Sequence, residues 1–487
     1  FWRSSVSEKP TNDNALLKSS MVIETEDSSI SDILNWIRKR RESVEVVVEK
    51  IPLDQINNWN FQEKTGNIIH ESGKFFSIEG VSVVTKWTTS DAWNQPIISQ
   101  PEVGILGILT KKINGILMFL MQAKIEPGNL NFVQISPTLQ ATKSNYTQVH
   151  KGNKPVFLEY FNGEKNVKFL LDQLQSEQGS RFFKKRNRNI IVEIGEQENV
   201  EVPDDFMWMS LGQIKNLMQY DNIINMDTRT VISSITFDFS NQKILSDVTE
   251  IGSNLLINNL VSSSIFEKES QINSFHDITS WMTRLKSTYE LHVKKIPLNI
   301  VNDWIYDEGV FRHQQNKYFS VIGVRSSIKN REVVSWDQPM IQPAQEGLIG
   351  FIAKPVSGTL YFLVQAKLEV GNFDIIELAP TVQCLTGNYR KGLNEYSIPF
   401  IDRILKAPPE SILYSAMQSE EGGRFYYEQN KNIIIVESEN YSPNIPDNYC
   451  WMSYGQILHF MQFNNNFNIA ARSLISAISI LNFNNVQ

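Results

Sequence analysis

Two long stretches of this chain repeat one another, and the repeat constrains the fold more than any other feature of the sequence. Residues 136–152 read SPTLQATKSNYTQVHKG, and residues 379–395 read APTVQCLTGNYRKGLNE, starting 243 positions later. The same offset relates other pairs of motifs, which begin at Trp93 and Trp336, at Gln122 and Gln365, at Gln175 and Gln418, and at Trp208 and Trp451. A period of this length corresponds to whole domains rather than to the short units of a solenoid.

The repeats divide the 487 residues into four parts. A polar tail covers 1–27, the first copy 28–245 and the second copy 271–487. Residues 246–270 join the copies, and because they are not rich in glycine or proline we expect a packed connection rather than a flexible linker.

Each copy mixes helical and strand patterns, which predicts an α+β fold. The asparagine–glycine pair at Asn114 and the serine–glycine pair at Ser357 indicate tight hairpin turns. Helices are predicted over Ile30–Ile37, Val167–Leu174 and Leu211–Gln219. Strands are predicted over Val44–Val48, Phe75–Val84, Gly104–Leu109, Ile116–Glu126, Phe132–Gln140 and Asn189–Ile194.

Composition excludes several classes of protein. The 41% hydrophobic and 20% charged residues are ordinary for a soluble globular protein, and a net charge of −7 does not favour a nucleic-acid partner. The two cysteines, Cys384 and Cys450, allow at most one disulfide bridge. The first twenty residues have no apolar signal-peptide core, and the longest apolar run, Gly115–Met121, is too short to span a bilayer. We therefore expect a cytoplasmic protein without a membrane partner.

Familiar catalytic motifs are missing from the sequence. There is no G-x-x-x-x-G-K-[ST] loop, no G-x-G-x-x-G after a strand, no H-E-x-x-H and no G-x-S-x-G, and the six histidines are scattered. These absences disfavour P-loop nucleotide hydrolysis, a Rossmann cofactor and zinc chemistry. The residues alone indicate a duplicated α+β protein with a polar, anion-binding site.

The copies differ most at polar positions. KKRNRN at 184–189 becomes YEQNKN at 427–432, NMDTR at 225–229 becomes NIAAR at 468–472, and His150 becomes Leu393. The first copy therefore carries the working polar site in this interpretation, and the second copy kept the scaffold. An alternative remains open, in which the second copy binds a different ligand through its retained polar residues, Glu369, Arg424, Asn430, Asn432 and Arg472.

The motifs QAKIEPGN, SPTLQATKSNYTQVHKG, QSEQGSRFFKKRNRN, FMWMSLGQIKNLM and NMDTRTVIS resemble those of the NDP-hexose 2,3-dehydratases of deoxysugar biosynthesis. The resemblance covers nearly the whole chain. It implies tandem Nudix-like domains in a homodimer, one active pocket and a second, vestigial nucleotide-sugar pocket. It also implies a hydro-lyase acting on dTDP-4-keto-6-deoxy-D-glucose without a cofactor. The absence of an R-E-x-x-E-E box, which would hold catalytic magnesium, agrees with a family that does not hydrolyse nucleotides.

The chemistry of such a substrate calls for a base, an acid, a donor to the ketone oxygen and cations for the diphosphate. We expect Glu177 or His150 as the base and His150 or Tyr146 as the acid. Lys124 is the candidate donor to the C4 oxygen, although an ion pair with Glu126 is an equally simple interpretation.

Further residues are predicted to bind the substrate. The phosphate ligands are predicted as Arg181, Arg186, Arg188 and Arg229. Hydrogen bonds to the sugar or thymine are predicted from Gln122, Ser136, Thr142, Asn145, Asn189 and Asp227, with Trp93 or Trp208 as a stacking wall. The second pocket is predicted to contain Gln365, Asn388, Arg424, Asn432 and Arg472.

Two other functions compete with this interpretation. A Nudix-type nucleotide-sugar hydrolase would cleave the diphosphate with magnesium, and a nucleotide-sugar-binding protein would bind without turnover. The diketo product of the dehydratase reaction should be unstable, so the resemblance also implies transfer of the product to an NADPH-dependent 3-ketoreductase.

Overall fold

A computed structural model describes residues 15–87, 92–142, 154–237, 272–328, 335–385 and 398–479. The predicted site residues Asn145, Tyr146, His150 and Asn388 lie outside the described residues, as does the connection 246–270. The described parts contain both helices and sheets, which confirms the α+β class.

All the helices except α6 lie near the ends of the repeats, and most begin at a side chain that caps the first turn. The helices are α1 (Ala15–Ser20), α2 (Ile30–Glu42), α3 (Leu211–Leu217), α4 (Met226–Ile232), α5 (Phe275–Thr288), α6 (Ile401–Leu405), α7 (Tyr454–Met461) and α8 (Ile469–Ser476). Ser29, Ser210, Ser274 and Ser453 each form a capping box with the residue three positions later, so that two backbone N–H groups are satisfied at once.

Strands make up the middle of each repeat. The first repeat contains β1 (Val46–Ile51), β2 (Trp59–Phe61), β3 (Ile68–His70), β4 (Ser77–Thr85), β5 (Ala92–Ser99), β6 (Gly104–Ile113), β7 (Ile116–Ile125), β8 (Val133–Ser136), β9 (Leu139–Ala141), β10 (Lys168–Ser176), β11 (Arg186–Ile194) and β12 (Phe206–Ser210). The second contains β13 (Leu291–Ile296), β14 (Trp304–Asp307), β15 (Val310–His313), β16 (Phe319–Ile328), β17 (Ser335–Pro343), β18 (Gly347–Val356), β19 (Thr359–Lys367), β20 (Glu377–Ala379), β21 (Val382–Leu385), β22 (Ile412–Ser419), β23 (Gln429–Val436) and β24 (Tyr449–Ser453).

Each repeat builds one large mixed sheet of seven strands. The order in the first repeat is β10-β11-β6-β7-β12, with β8 beside β7 and β9 beside β6, and only the β11–β6 pair is parallel. The second repeat has the corresponding order β22-β23-β18-β19-β24. The predicted hairpins are present, since Asn114 and Gly115 have φ of 49° and 77° and Ser357 and Gly358 have φ of 48° and 79°.

The two small sheets exchange strands between the repeats. Strand β1 of the first repeat pairs antiparallel with β16 of the second, and β13 of the second repeat pairs antiparallel with β4 of the first. The main hydrophobic core is also shared, because Ile33 and Ile214 of the first repeat belong to the same buried cluster as Phe362 and Ile457 of the second. The repeats are therefore interlocked rather than strung together.

Two secondary-structure predictions are corrected. A helix was predicted over residues 167–174, but residues 168–174 lie in strand β10, which pairs with β11 and has a bulge between Phe169 and Leu171. The single strand predicted over 132–140 is interrupted at Pro137, which has no N–H to donate, and the chain moves from β7 to β6 across it. Both cysteines are free thiols, and no helix in the described ranges is long and apolar enough to cross a membrane.

Candidate active site

The site is assembled from loops of both repeats that pack crosswise. The turn after β7 meets the loop that follows β22, where the N–H of Gly128 donates to the carbonyl oxygen of Gly422 at 2.7 Å. The matching turn after β19 meets the loop after β10, where the N–H of Gly371 donates to the carbonyl oxygen of Gly179 at 2.6 Å. A Cβ atom on Gly128 or Gly371 would lie within 2 Å of a backbone oxygen, so only glycine permits this approach.

Polar side chains of the first repeat line one side of this junction. Lys124 Nζ donates to the carbonyl oxygen of Gln140 at 3.3 Å, and Gln140 Nε2 donates to Glu126 Oε1 at 2.7 Å. Asn225 Nδ2 donates to Gln140 Oε1 at 3.3 Å and its own Oδ1 caps helix α4. The cap places Asp227 in the first turn of α4, where it is 2% exposed.

The second repeat supplies two charged groups to the same place. The carboxyl group of Glu421 interacts electrostatically with Glu126 and Lys124, and Arg424 interacts with Glu126 as well. The guanidinium group of Arg424 lies 4.1 Å from the ring centroid of Phe76, a residue of the first repeat, which fixes its orientation. The site is therefore composite.

Glu177 and Lys185, from the loop between β10 and β11, complete this group. Each is 6% exposed. Glu177 Oε1 accepts a hydrogen bond from Asn187, and Lys185 Nζ donates to the carbonyl oxygen of Glu102 at 2.5 Å. We call the set of charged side chains cluster I, and its members are Lys124, Glu126, Glu177, Lys185, Asp227, Glu421 and Arg424.

Burial raises the pKa of several of these carboxyl groups. It raises the pKa of Asp227 well above its ordinary value, and the neighbouring carboxylates of Glu177, Glu126 and Glu421 act in the same direction. Burial likewise raises the pKa of Glu177, against the opposing charge of Lys185. The pKa of Glu421 rises to about 7 because burial outweighs the attraction of Arg424. Cluster I thus contains one carboxyl group, that of Glu421, able to exchange protons near neutral pH, beside others whose pKa is raised.

Several buried polar atoms in cluster I have no hydrogen-bond partner among the described residues. They are Glu177 Oε2, Asp227 Oδ1 and Arg424 Nε, with Asn129 Oδ1 beside them. A buried polar atom without a partner is costly, and a bound ligand is one explanation for it. Among the described residues, Arg181 Nε, Gln178 Oε1 and Glu428 Oε2, at the positions equivalent to Arg424, Glu421 and Lys185, have no partner either. Within the described ranges, no three carboxylate, histidine or cysteine side chains are arranged to hold a metal ion.

The mirror position, which we call cluster II, has the same frame with fewer ionisable groups. Lys367 Nζ donates to the carbonyl oxygen of Gln383 at 2.8 Å, and Gln383 Nε2 donates to Glu369 Oε1 at 3.2 Å. The differences lie at three positions, where Ala470 stands for Asp227, Gln178 for Glu421 and Glu428 for Lys185. Cluster II therefore lacks the carboxyl groups of Asp227 and Glu421 and the cation of Lys185, and it gains the carboxyl group of Glu428.

Because the loops pack crosswise, two arginines predicted for one pocket lie in the other. Arg181, predicted for the first pocket, interacts with Glu428 and Glu369 of the second repeat and stacks over the ring of Phe319 at 4.1 Å. It therefore belongs to cluster II, whereas Arg424, predicted for the second pocket, belongs to cluster I. The sequence prediction assigned each arginine to its own repeat, because it could not foresee that the loops cross.

Arg229 was predicted to bind phosphate, and Arg472 was predicted for the second pocket. Each is 1% exposed and donates hydrogen bonds to the opposite repeat. Arg229 donates to Ser419 and Gln418, and Arg472 donates to Ser176, Gln175 and Thr230. Their guanidinium groups are thus occupied by protein acceptors. The structure gives them the role of holding the two loops, not of contacting a phosphate.

Two more predicted phosphate ligands lie on strand β11, outside cluster I. Arg188 forms a two-pronged ion pair with Asp172 at 2.6 and 2.7 Å. The guanidinium group of Arg186 lies 4.9 Å from the ring centroid of Phe373, which belongs to the second repeat.

The predicted polar ligands of the sugar and base also have protein partners. Gln122 donates to Asp205 Oδ2 at 3.0 Å, and Ser136, fully buried, donates to the carbonyl oxygen of Gln122 at 3.3 Å. Asn189 is 1% exposed and lies beneath helix α4, while Thr142 is half-buried at the edge of the described residues.

The predicted aromatic wall lies apart from cluster I. Trp93 is on a small sheet, where its Nε1 donates to Gln95 Oε1 at 3.0 Å, and Trp208 packs on the core of the large sheet. In the second repeat, Gln365 lies on β19 and is half-buried, and Asn432 is 2% exposed on β23.

Among the predicted residues, the structure brings Lys124, Glu177, Asp227 and Arg424 together. Sequence reasoning missed Glu421 and Lys185. A signal for both was present, because the alignment of the repeats places Gln178 opposite Glu421, and Glu428 opposite Lys185 within the segment KKRNRN.

Comparison with known proteins identifies relatives along most of the chain. A family model described as NDP-hexose 2,3-dehydratase matches residues 30–235 and 275–478. A dTDP-4-dehydro-6-deoxy-alpha-D-glucopyranose 2,3-dehydratase of Saccharopolyspora spinosa is 42% identical over 446 residues, covering 92% of this chain and 90% of the relative. Proteins with the same description from Amycolatopsis orientalis (92% of this chain, 90% of the relative) and Streptomyces violaceoruber (92% and 96%) are 39% and 36% identical.

Proposed function

The chain belongs to the NDP-hexose 2,3-dehydratase family, and we propose that it is a hydro-lyase removing the C2 hydroxyl group of dTDP-4-dehydro-6-deoxy-α-D-glucopyranose, the dTDP-4-keto-6-deoxyglucose expected from the sequence. The observation that carries the proposal is the agreement of three relatives, at 36 to 42% identity over 92% of the chain, on one substrate and one reaction. Cluster I supports it with the chemistry the reaction needs.

The reaction follows from the position of the ketone. The C4 carbonyl acidifies the C3 hydrogen, and the C2 hydroxyl group lies β to that carbonyl. Removal of the C3 proton gives an enolate, which expels the C2 oxygen as water when an acid protonates it. The resulting enol tautomerises to the 3,4-diketo-2,6-dideoxy sugar, and no electrons are exchanged with a cofactor.

Cluster I offers a group for each demand of this elimination. The ammonium group of Lys124 can stabilise the enolate oxygen, and the raised pKa of Asp227, caused first by burial, supplies a protonated carboxyl group that can donate to the leaving hydroxyl. Arg424 offers a cation for the diphosphate. Of the bases predicted from the sequence, Glu177 belongs to cluster I, and His150 remains a prediction outside the described residues.

The further features implied by the resemblance belong to the same proposal. We propose that the repeats are tandem Nudix-like domains of a cytoplasmic homodimer, that the diketo product passes to an NADPH-dependent 3-ketoreductase, and that cluster II is a vestigial pocket. The loss of carboxyl groups at Ala470 and Gln178 supports the last point. Light scattering on the purified protein tests the dimer, for which a monomer is the contrary result.

The dehydratase activity is tested by incubating the protein with the dTDP-4-keto sugar, with and without a 3-ketoreductase and NADPH, followed by mass spectrometry. The expected result is loss of one water from the sugar, trapped as the reduced product when the reductase is present. Intact substrate would contradict the proposal and favour a binding protein, and release of dTMP would favour a Nudix-type hydrolase.

A further inference from the structure

We propose that Glu421, a residue of the second repeat, is the base that removes the C3 proton in cluster I, so that the second repeat completes the active site of the first. The inference rests on the proposed dehydratase function and adds to it a catalytic residue from the half of the chain that the sequence interpretation regarded as scaffold.

Backbone hydrogen bonds fix the position of the Glu421 loop against the first repeat. Gly128 donates to the carbonyl oxygen of Gly422 at 2.7 Å, and Tyr427 donates back to the carbonyl oxygen of Gly128 at 2.7 Å. A Cβ atom on Gly422 would lie 2.5 Å from Asn129 Oδ1 and 2.8 Å from the Cβ of Glu126. Glu421 is therefore held directly beside the turn that carries Glu126 and follows Lys124.

The side chain of Glu421 combines proximity with access. The residue as a whole is half-buried, although its carboxyl group is enclosed by the charged groups of cluster I, and its Oε1 accepts a hydrogen bond from the N–H of Gly423 at 3.1 Å, which orients the carboxylate. Glu177, the base predicted from the sequence, is 6% exposed and bonded to Asn187. A base must reach the proton it removes, and Glu421 is the more exposed of these two residues.

The comparison of the two clusters points to the same residue. Glu177 has an equivalent in cluster II, because Glu420 accepts the corresponding hydrogen bond from Asn430. Glu421 has no such equivalent, since Gln178 occupies its position and donates instead to Glu420. An amide cannot accept a proton from carbon near neutral pH, so cluster II has no base at the position of Glu421, although it contains the carboxyl groups of Glu420 and Glu428.

The step balances without any further reactant. The C3–H bond breaks, its proton passes to the carboxylate of Glu421, and its electron pair forms the enolate. The C2–O bond then breaks, and the departing oxygen takes the proton of Asp227 and leaves as water. Return of the Glu421 proton to C2, with loss of the O3 proton to Asp227, gives the diketone and restores both carboxyl groups.

The test compares Glu421→Gln with Gln178→Ala, a change at the equivalent position of cluster II. Each protein is incubated with the dTDP-4-keto sugar in D₂O, and exchange at C3 is followed by NMR together with water loss by mass spectrometry. Glu421→Gln should lose both C3 exchange and elimination by about a hundredfold or more while still binding dTDP, and Gln178→Ala should retain them.

A further variant guards against misfolding. Glu421→Asp keeps a carboxylate and should retain part of the activity, with a shifted acid limb in the pH profile of kcat/KM, because Lys124, Glu126, Glu177 and Arg424 then act on a displaced group. Normal turnover by Glu421→Gln, an unchanged profile in Glu421→Asp, or loss of activity only in Gln178→Ala would overturn the inference. Absence of water loss from the unaltered protein would instead refute the proposed function itself.

Discussion

Arg229 Nη2 donates a hydrogen bond to the backbone carbonyl oxygen of Ser419, 2.5 Å away in the opposite repeat. Arg472 makes the reciprocal bond to the carbonyl oxygen of Ser176. Since Ser419 precedes Glu420 and Glu421, the arginine positions the loop that enters cluster I. The pair of bonds is approximately symmetric, which is what duplication followed by crosswise packing produces.

Replacement of Arg229 should therefore destabilise the whole chain. In Arg229→Met, the acceptors on Ser419, Gln418 and Ser473 lose a buried, charged donor, and we expect the free energy of unfolding to fall by roughly 3 kcal/mol or more. Urea denaturation followed by tryptophan fluorescence measures this change.

The matched control is Arg38→Met, which removes an exposed ion pair with Glu42. The side chains of that pair are 57% and 61% exposed, so the loss should be below about 1 kcal/mol. Equal effects of the two substitutions would show that Arg229 does not anchor the loop.

Burial of Lys215, which is not a member of cluster I, should make the stability of the protein depend on pH. Its Nζ donates to the carbonyl oxygens of Ser476 and Ile478 at 3.0 and 2.7 Å, and burial lowers its pKa to about 7. The unfolded chain binds this proton up to about pH 10.5, so between the two pKa values the unfolded state holds more protons and stability rises with pH.

Lys215→Leu, which copies the equivalent Leu458, removes this titration. The stability of the unaltered protein relative to the variant should be lowest below about pH 7 and should increase by up to about 1.4 kcal/mol per pH unit above it. Urea titrations at a series of pH values measure the difference. A difference that stays constant with pH would contradict the buried, neutral state of the lysine.

The sequence predicted local features well and relations between the repeats poorly. The Asn114–Gly115 turn and helix α3 were predictable because their signals lie within a few residues. The place of Arg181 was not, because its loop crosses to the other repeat, and no local pattern encodes that crossing. Strand β10 was missed for a related reason, since its pairing with β11, rather than its own residues, decides its conformation.

The same distinction applies to the candidate site. Asp227 could be singled out from the sequence because its equivalent, Ala470, differs in an otherwise similar motif. Glu421 could not be assigned to cluster I without the fold, since it lies 194 positions after Asp227 and reaches it only through the crosswise packing.

Asp227 should lower the stability of the fold while supporting turnover. Asp227→Ala, which copies the alanine of cluster II, removes a buried carboxyl group whose pKa is raised by burial. Above the ordinary pKa near 4, the unfolded chain releases this proton more readily than the folded chain, which lowers the stability of the fold. The substitution removes this loss of stability. We expect a higher free energy of unfolding at neutral pH but turnover reduced about a hundredfold or more, with dTDP still bound.

Thermal unfolding at neutral pH and steady-state assays measure the two effects together, and Ala470→Ser in cluster II is the control, expected to leave turnover unchanged. A fall in stability accompanied by full activity would reverse the interpretation of Asp227, making it a structural residue.

The exchanged strands predict that neither repeat folds alone. A fragment of residues 15–245 lacks β13, the partner of β4, and a fragment of residues 271–479 lacks β1, the partner of β16, so each would expose a sheet edge together with half of the shared core. Each fragment should be insoluble or unfolded by circular dichroism, whereas co-expression of both should restore a soluble complex with dehydratase activity.

Cleavage at a protease site inserted within 246–270 of the intact protein provides the control, because the interlocked halves should then stay together in gel filtration. A first-repeat fragment that unfolds cooperatively by itself would contradict the prediction, and its activity would further contradict the role of Glu421, since that residue would be absent.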